Sequence, residues 1–243
     1  MTTTMTEIET RSDIAVELVQ SAGSDASIIA AARVSTAAEL SAAALDQDPT
    51  ESEGLINFLM KGRHGSPFEH AQMTFLISAP IFVFREWHRH RVGWSYNEES
   101  ARYRQMRPVF YVPDERRNLK QIGKPGAYEF VPGEPQDLIA AHLSMEHIYG
   151  AAYAAYEDML ELGIAREVAR VVLPVATYST MYATCNPRSL MHFLSLRTKS
   201  DDAMFKSFPQ REIEIAAEKM EAEFARLFPI THEAWVRNGR VAP

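Results

Sequence analysis

The chain has one cysteine, Cys185, among 243 residues. A single thiol excludes an internal disulfide and a four-cysteine zinc site, and it is compatible with a reducing compartment. No apolar run approaches the length that spans a bilayer, and the first residues, MTTTMTEIETRSDIAVELVQ, carry acids without the basic-then-apolar order of a signal peptide. The expectation is a soluble, cytoplasmic protein that engages no membrane. Internal repeats and low-complexity runs are missing too. Positive charge is in deficit: 25 Lys and Arg against 32 Asp and Glu leave a net charge of −7, which argues against a general polyanion binder and so against nucleic acid as a partner.

On this acidic background, REWHRHRVGWSYNEESARYR, residues 85–104, sets five arginines and two histidines around three carboxylates. Cations so dense on such a chain imply a local site for a small anionic ligand. With 46% apolar residues, the length suits a single domain over 1–243 with a polar segment over about 1–12. Only that N-terminus and GKPGAYEFVPGEPQD read as linkers.

Periodicity and turn chemistry predict a mixed α/β (α+β) chain. DASIIAAARVS and EGLINFLMKG have helical spacing, and AQMTFLISA alternates like a strand. Pro80 opens a short helix, PIFVFREWHRHR, whose end delivers Arg89, His90 and Arg91 to a loop, and RPVFYVP returns as a second strand. Between Pro135 and Leu162, the stripe of Leu138, Ile139, Leu143, Ile148, Ala152, Ala155 and Met159 predicts the longest helix, stopped by Gly163. AREVARVVL ends before Pro174. The last predicted helix, 211–228, carries Ile213, Ala217, Met220, Phe224 and Leu227 as a packing surface.

NPRSLMHFLSLR has a fixed register, because Asn186 followed by Pro187 reads as N-cap and first helical residue. At about 100° per residue, Arg197 falls among Leu190, Phe193 and Leu194, whereas Arg188 and His192 share the opposite side. A guanidinium on an apolar stripe keeps its charge and needs an anionic or carbonyl partner. Two placements satisfy it: a structural ion pair, or the lip of a pocket. Arg170, in REVARVVLP, faces the same choice.

In this order, HGSPFEH (64–70), RHR (89–91) with SYNEESARY, REVARVVLP and NPRSLMHFLSLR resemble the flavin-dependent thymidylate synthases over about residues 50–200. The family signature places seven residues between RHR and serine; here VGWSYNEE supplies eight, and the extra residue falls in Val92–Trp94. The resemblance implies a central antiparallel sheet flanked by helices and the methylation of dUMP to dTMP. The implied cofactor is FAD, with 5,10-methylenetetrahydrofolate as carbon donor and NADPH as reductant. A homotetramer with active sites shared between subunits is implied as well.

Residue by residue, the resemblance assigns the flavin to Ser66, Arg89, His90, Arg91, Glu98, Asn186, Pro187, Arg188 and His192. It assigns the nucleotide to Glu86, Trp87, His88, Arg89, Glu98, Glu99, Ser100, Ala101, Arg102, Arg170 and Arg197, and places His64 on the flavin and folate side. Glu86 stands where some relatives carry glutamine. Phosphate and pyrophosphate call for fixed guanidinium forks and main-chain amides. Arg197 is the candidate catalytic group, meeting charge that builds on the pyrimidine as C5 attacks the folate carbon. Ser100 has no histidine at a local spacing to activate it, so it reads as a phosphate ligand. Cys185 reads as a small buried residue.

Other readings stand beside this one. His64, His70, His88 and His90, with Glu69 and Glu86, are candidate metal ligands of a hydrolase, although their spacing lacks the H-E-x-x-H pattern. Trp87, Trp94, Tyr96 and Tyr103 among arginines suggest a single-strand stacking platform, against which the acidic total counts. Core packing or subunit contact is the simpler role for these aromatics, and a satisfied core donor the simpler role for His70.

Overall fold

Alternation and capping account for most of the elements in the computed structural model, which describes residues 7–35, 53–124 and 127–243. In chain order these are β1 (Glu9–Arg11), β2 (Ala15–Ala22), α1 (Asp25–Arg33), α2 (Glu53–Lys61), the 3-10 turn Ser66–Glu69, β3 (Gln72–Pro80), α3 (Ile81–Trp87), β4 (Trp94–Glu98), β5 (Val109–Tyr111), β6 (Lys120–Lys124) and β7 (Ala127–Val131). They continue with α4 (Pro135–Glu161), α5 (Arg166–Ala169), a 3-10 turn at Arg170–Val172, β8 (Tyr178–Cys185), α6 (Pro187–Arg197), α7 (Arg211–Leu227) and α8 (Pro229–Arg237). The fold is mixed α/β with an antiparallel sheet flanked by helices, as expected. Four strands order as β2-β3-β8-β4. Thr74 faces Thr184 with hydroxyls 2.9 Å apart, and the Ile81 amide donates to the Thr177 carbonyl at 3.0 Å. The two pairs count in opposite directions along the chain, as antiparallel β3 and β8 require. Pro80 ends β3 rather than starting α3.

The chain divides into two units. One comprises residues 14–77, 86–97 and 181–243. Here α7 buries Ile213, Ala217, Met220 and Phe224 completely and packs against α6, α8 and β2. A helix beyond the expected last one, α8, follows at once: Pro229 takes its first position, and the buried Asp25 carboxylate accepts from the Ile230 and Thr231 amides, both at 3.0 Å. This cap lies far away in sequence, so no local pattern announced it.

The other unit comprises residues 1–13, 78–85 and 98–180. Its core is not the stripe expected on α4. Tyr149, Tyr153 and Tyr156 are buried, while Ile139, Leu143 and Ile148 are 60%, 64% and 57% exposed. The tyrosines win because each offers a ring to the core and a hydroxyl to the main chain of 106–111. Tyr149 and Tyr153 donate to the Tyr111 and Met106 carbonyls at 3.0 and 2.9 Å, and Tyr156 accepts from the Met106 amide at 3.2 Å. Gly163, at φ +77°, ends the helix as expected. Both presumed linkers contain strands. β1, inside the polar N-terminal segment, pairs parallel with β5, and β7, inside GKPGAYEFVPGEPQD, pairs antiparallel with β6, which begins before that segment. The pairings are ladders of main-chain groups, which the polar side chains of β1 and β6 do not announce. Residues 1–6 and 125–126 of those segments lie outside the described residues.

Candidate active site

α6 and the loop after α3 build the first group of functional side chains. Trp87, the last residue of α3, is fully buried and stacks on Phe193 at 4.9 Å, so any contribution it makes to a ligand runs through its main chain. The Tyr96 hydroxyl donates to the His90 carbonyl at 2.6 Å and to that of Trp87 at 3.3 Å, pinning the loop from β4. Gly93 sits at φ +67°, and a Cβ there would fall 2.1 Å from Ser189 Oγ, which itself donates to the Val92 carbonyl at 2.9 Å. The Val92–Trp94 segment therefore lies directly on the first turn of α6. Asn186 caps that turn as predicted, its side-chain oxygen accepting from the Ser189 amide at 2.8 Å.

Loop and helix enclose a cavity of about 390 Å³. His90, Arg91, Asn186, Arg188 and His192, all expected flavin residues, line it. Glu69, Ser189 and Val92–Trp94 line it too; the sequence offered Glu69 only as a metal ligand and Trp94 only as a stacking aromatic, and gave Ser189 no role. The one available signal for Ser189 was its place three residues after the N-cap. Of the remaining expected flavin residues, Ser66 heads the 3-10 turn that ends at Glu69, Arg89 is exposed, Pro187 is buried at the start of α6, and Glu98 belongs to the other unit. Arg188 donates Nε to the Pro243 main-chain oxygen at 2.7 Å and Nη1 to Glu69 Oε1 at 2.5 Å. Gly65 makes room for it, since a Cβ there would lie 2.5 Å from the guanidinium carbon. Partial burial, then the charges of Arg188 and Arg63, hold His192 below its ordinary pKa. Guanidinium, imidazole and amide donors around a cleft of this size fit an anionic, planar cofactor.

Arg197 lies at the other end of α6, its side chain 15% exposed. It donates Nε to His90 Nε2 at 3.1 Å, Nη1 to Glu86 Oε2 at 2.6 Å and Nη2 to the Glu86 carbonyl at 3.1 Å. Three of the five guanidinium N–H groups are thus engaged, and the rest lack a partner among the described residues. The carboxylate that pairs with Arg197 is itself 40% exposed, so the ion pair is open to solvent on one side. Burial first, then the charges of Arg197 and His192, push the His90 pKa down to about 4. The ring is therefore neutral at pH 7, and acceptance at Nε2 assigns its proton to Nδ1.

The other unit holds Glu98–Arg102 and Arg170. Ser100 Oγ accepts from the Arg102 amide at 3.3 Å at the head of a turn, an arrangement with amides and a hydroxyl that suits an anion. Arg102 pairs with Glu167 at 3.0 Å and Arg104 with Glu99 at 2.9 Å. Arg170 has no ion-pair partner among the described residues. Ala101 is half-buried beside Ser100.

The histidines do not converge. His64 stacks on Phe58 at 5.7 Å, His88 lies edge-on to Tyr96 at 5.2 Å, His90 meets Arg197, and His70 is exposed rather than a core donor. Among the described residues no group of three or more His, Cys, Asp or Glu is arranged to hold a metal ion, which leaves the hydrolase reading without support. Burial raises the pKa of Cys185 well above its ordinary value, so it remains an inert thiol. No helix among the described residues is long and apolar enough to cross a membrane.

The family model described as thymidylate synthase complementing protein matches residues 17–230. The flavin-dependent thymidylate synthase of Streptomyces coelicolor is 64% identical over 237 residues, covering 98% of this chain and 96% of that protein. That of Thermotoga neapolitana is 39% identical over 222 residues, covering 91% and 90%. Among solved structures, the UMP/dUMP methylase PolB from Streptomyces cacaoi bound with 5-Br UMP superposes with a TM-score of 0.89 at 55% identity, covering 97% of this chain and 99% of that one.

Proposed function

The chain belongs to the thymidylate synthase complementing proteins, the flavin-dependent thymidylate synthases, and from that premise we propose that it converts dUMP to dTMP with FAD, 5,10-methylenetetrahydrofolate and NADPH. The observation that carries this reading is α6, which turns Arg188 and His192 to a donor-lined cavity while holding Arg197 at its far end. Bound at the cavity, FAD would carry hydride from NADPH to the methylene group. Arg91, Asn186, Arg188 and His192 would hold it there, together with Ser66, Arg89 and Pro187 as the family resemblance assigns, and His64 would flank the folate. Arg197 acts on the pyrimidine. Its guanidinium is already oriented by Glu86 and neutral His90, so its free N–H groups meet negative charge on the ring oxygens without reorganising as C5 attacks the folate carbon. Trp87 and His88 shape this end of the site from the close of α3. In the other unit, Ser100, Arg102 and Arg170 suit a phosphate dianion, with Glu99 and Ala101 in the same loop.

The exposed apolar residues of α4 and the modest cavity of one chain support a homotetramer with shared sites. The single domain expected over 1–243 is supported by a family match that runs through both units. We place its work in the cytoplasm. UMP is a second candidate substrate, favoured by the description of PolB as a UMP/dUMP methylase. The test is the visible spectrum of the purified protein with FAD: a bound flavin that NADPH bleaches without oxygen is expected, and a protein that takes up no FAD overturns the reading.

A further inference from the structure

Residues 241–243 have no regular structure, yet Ala242 is 6% exposed and Pro243 is buried. Three arginines account for this. Arg240 adopts φ +56°, a left-handed conformation that a non-glycine residue keeps only where its surroundings hold it. They do so here: its guanidinium donates to both Glu221 oxygens at 2.7 and 2.6 Å and to Thr198 Oγ1 at 2.8 Å, and lies 4.2 Å from the Trp235 ring centre. Beyond this anchor, Arg63 Nη1 donates to the carbonyls of Val241 and Ala242 at 2.7 and 3.1 Å. Arg63 is itself at φ +59°. The last contact is Arg188 Nε to the Pro243 main-chain oxygen at 2.7 Å.

We propose that Val241–Pro243 is a clamp that aims the Arg188 guanidinium into the cavity, making the segment and Arg63 positioning elements for the anionic part of the bound cofactor. The proposal rests on the flavin reading of that cavity. A guanidinium recognises a phosphate or pyrophosphate as a fork, and the fork is useful only when its plane is set beforehand. Glu69 fixes one edge of Arg188 but brings a negative charge that a phosphate must compete with. The clamp fixes the Nε edge from the opposite direction in sequence, and Gly65 leaves the guanidinium room to lie flat over the main chain. Arg240 ties the clamp to Thr198, the C-cap of α6, so the same segment is held from one end of the helix and grips the arginine at the other.

The experiment is a double-mutant cycle on FAD affinity, with circular dichroism and thermal unfolding to show that each variant folds. Arg63→Ala and a variant lacking Pro243 are each made in the parent and in the R188K background, which keeps the charge but loses the Nε donor. In the parent, either change is expected to weaken FAD binding by about 5- to 10-fold, and in R188K by less than about 2-fold, because coupling vanishes once the aimed fork is gone. Arg63→Lys, which retains a donor for the carbonyls, is expected to restore most of the affinity. Equal losses in both backgrounds, or no loss in the parent, overturn the clamp while leaving the flavin site standing. A parent that binds no FAD overturns the reading of the cavity and the clamp with it.

Discussion

The two ends of α6 carry one arginine each, and they are held in different ways. Arg197 is 15% exposed and takes all its partners from Glu86 and His90, within one short stretch at the close of α3. Arg188 is 37% exposed and is steadied by Glu69 and by Pro243, one before it and one after it in sequence. The difference separates two jobs. A largely buried cation whose plane is fixed by three contacts and which keeps N–H groups free suits the stabilisation of developing charge, because electrostatic terms strengthen away from water. A more exposed cation at a cavity mouth suits a ligand that must arrive and leave, and it is the more easily screened.

Arg197→Lys should sharpen this contrast most. Lysine keeps the charge but not the planar fork, so dTMP formation in a single turnover should fall by roughly 10²-fold or more with flavin content unchanged. A parallel loss of flavin would break the separation. Arg188→Ala should have the converse pattern: FAD affinity weaker by about 1.5–3 kcal/mol, the worth of a hydrogen bond to a charged group, and dUMP affinity close to the parent value in equilibrium titrations. In the other unit, Ser100→Ala should weaken dUMP binding by about 1–3 kcal/mol while methylation persists, since one neutral donor is lost and Arg102 remains. Inactivity at unchanged dUMP affinity would instead make Ser100 a nucleophile.

The smallest effect concerns pH. The folded-state pKa of His90 is lowered from 6.5 to about 4, chiefly by burial, so between those values the unfolded chain binds the extra proton. Stability from neutral His90 is therefore complete above about pH 6.5 and is lost as pH falls toward about 4. His90→Gln should flatten the pH dependence of thermal unfolding in that window, and an unchanged slope would mean that the ring is not the titrating group.

How much of this the sequence disclosed depended on how local each cause was. Asn186 and Pro187 set the register of α6, which placed Arg197 opposite Arg188 and His192 before any contact was known. Of the two placements left open for Arg197, the structure shows the ion pair, with a partner carboxylate that is 40% exposed. Neither Glu86 as that partner nor Glu69 in the cavity was readable, because pairing across 111 and 119 residues leaves no periodic trace. On α4 the apolar count pointed to the wrong face, since tyrosines that satisfy main-chain groups outcompeted aliphatic residues for the core. β2, β4 and β8 went unpredicted, and the Ser, Thr and Tyr content of YSTMYATC in β8 hides a strand that is largely buried.

Anaerobic product analysis shows whether α6 and its loop form the working core of a flavin-dependent dUMP methylase. The protein is stripped of flavin and given dUMP, 5,10-methylenetetrahydrofolate and NADPH, with and without added FAD. dTMP is expected only when FAD is restored. Undiminished dTMP without flavin, or none with every component present, would contradict it.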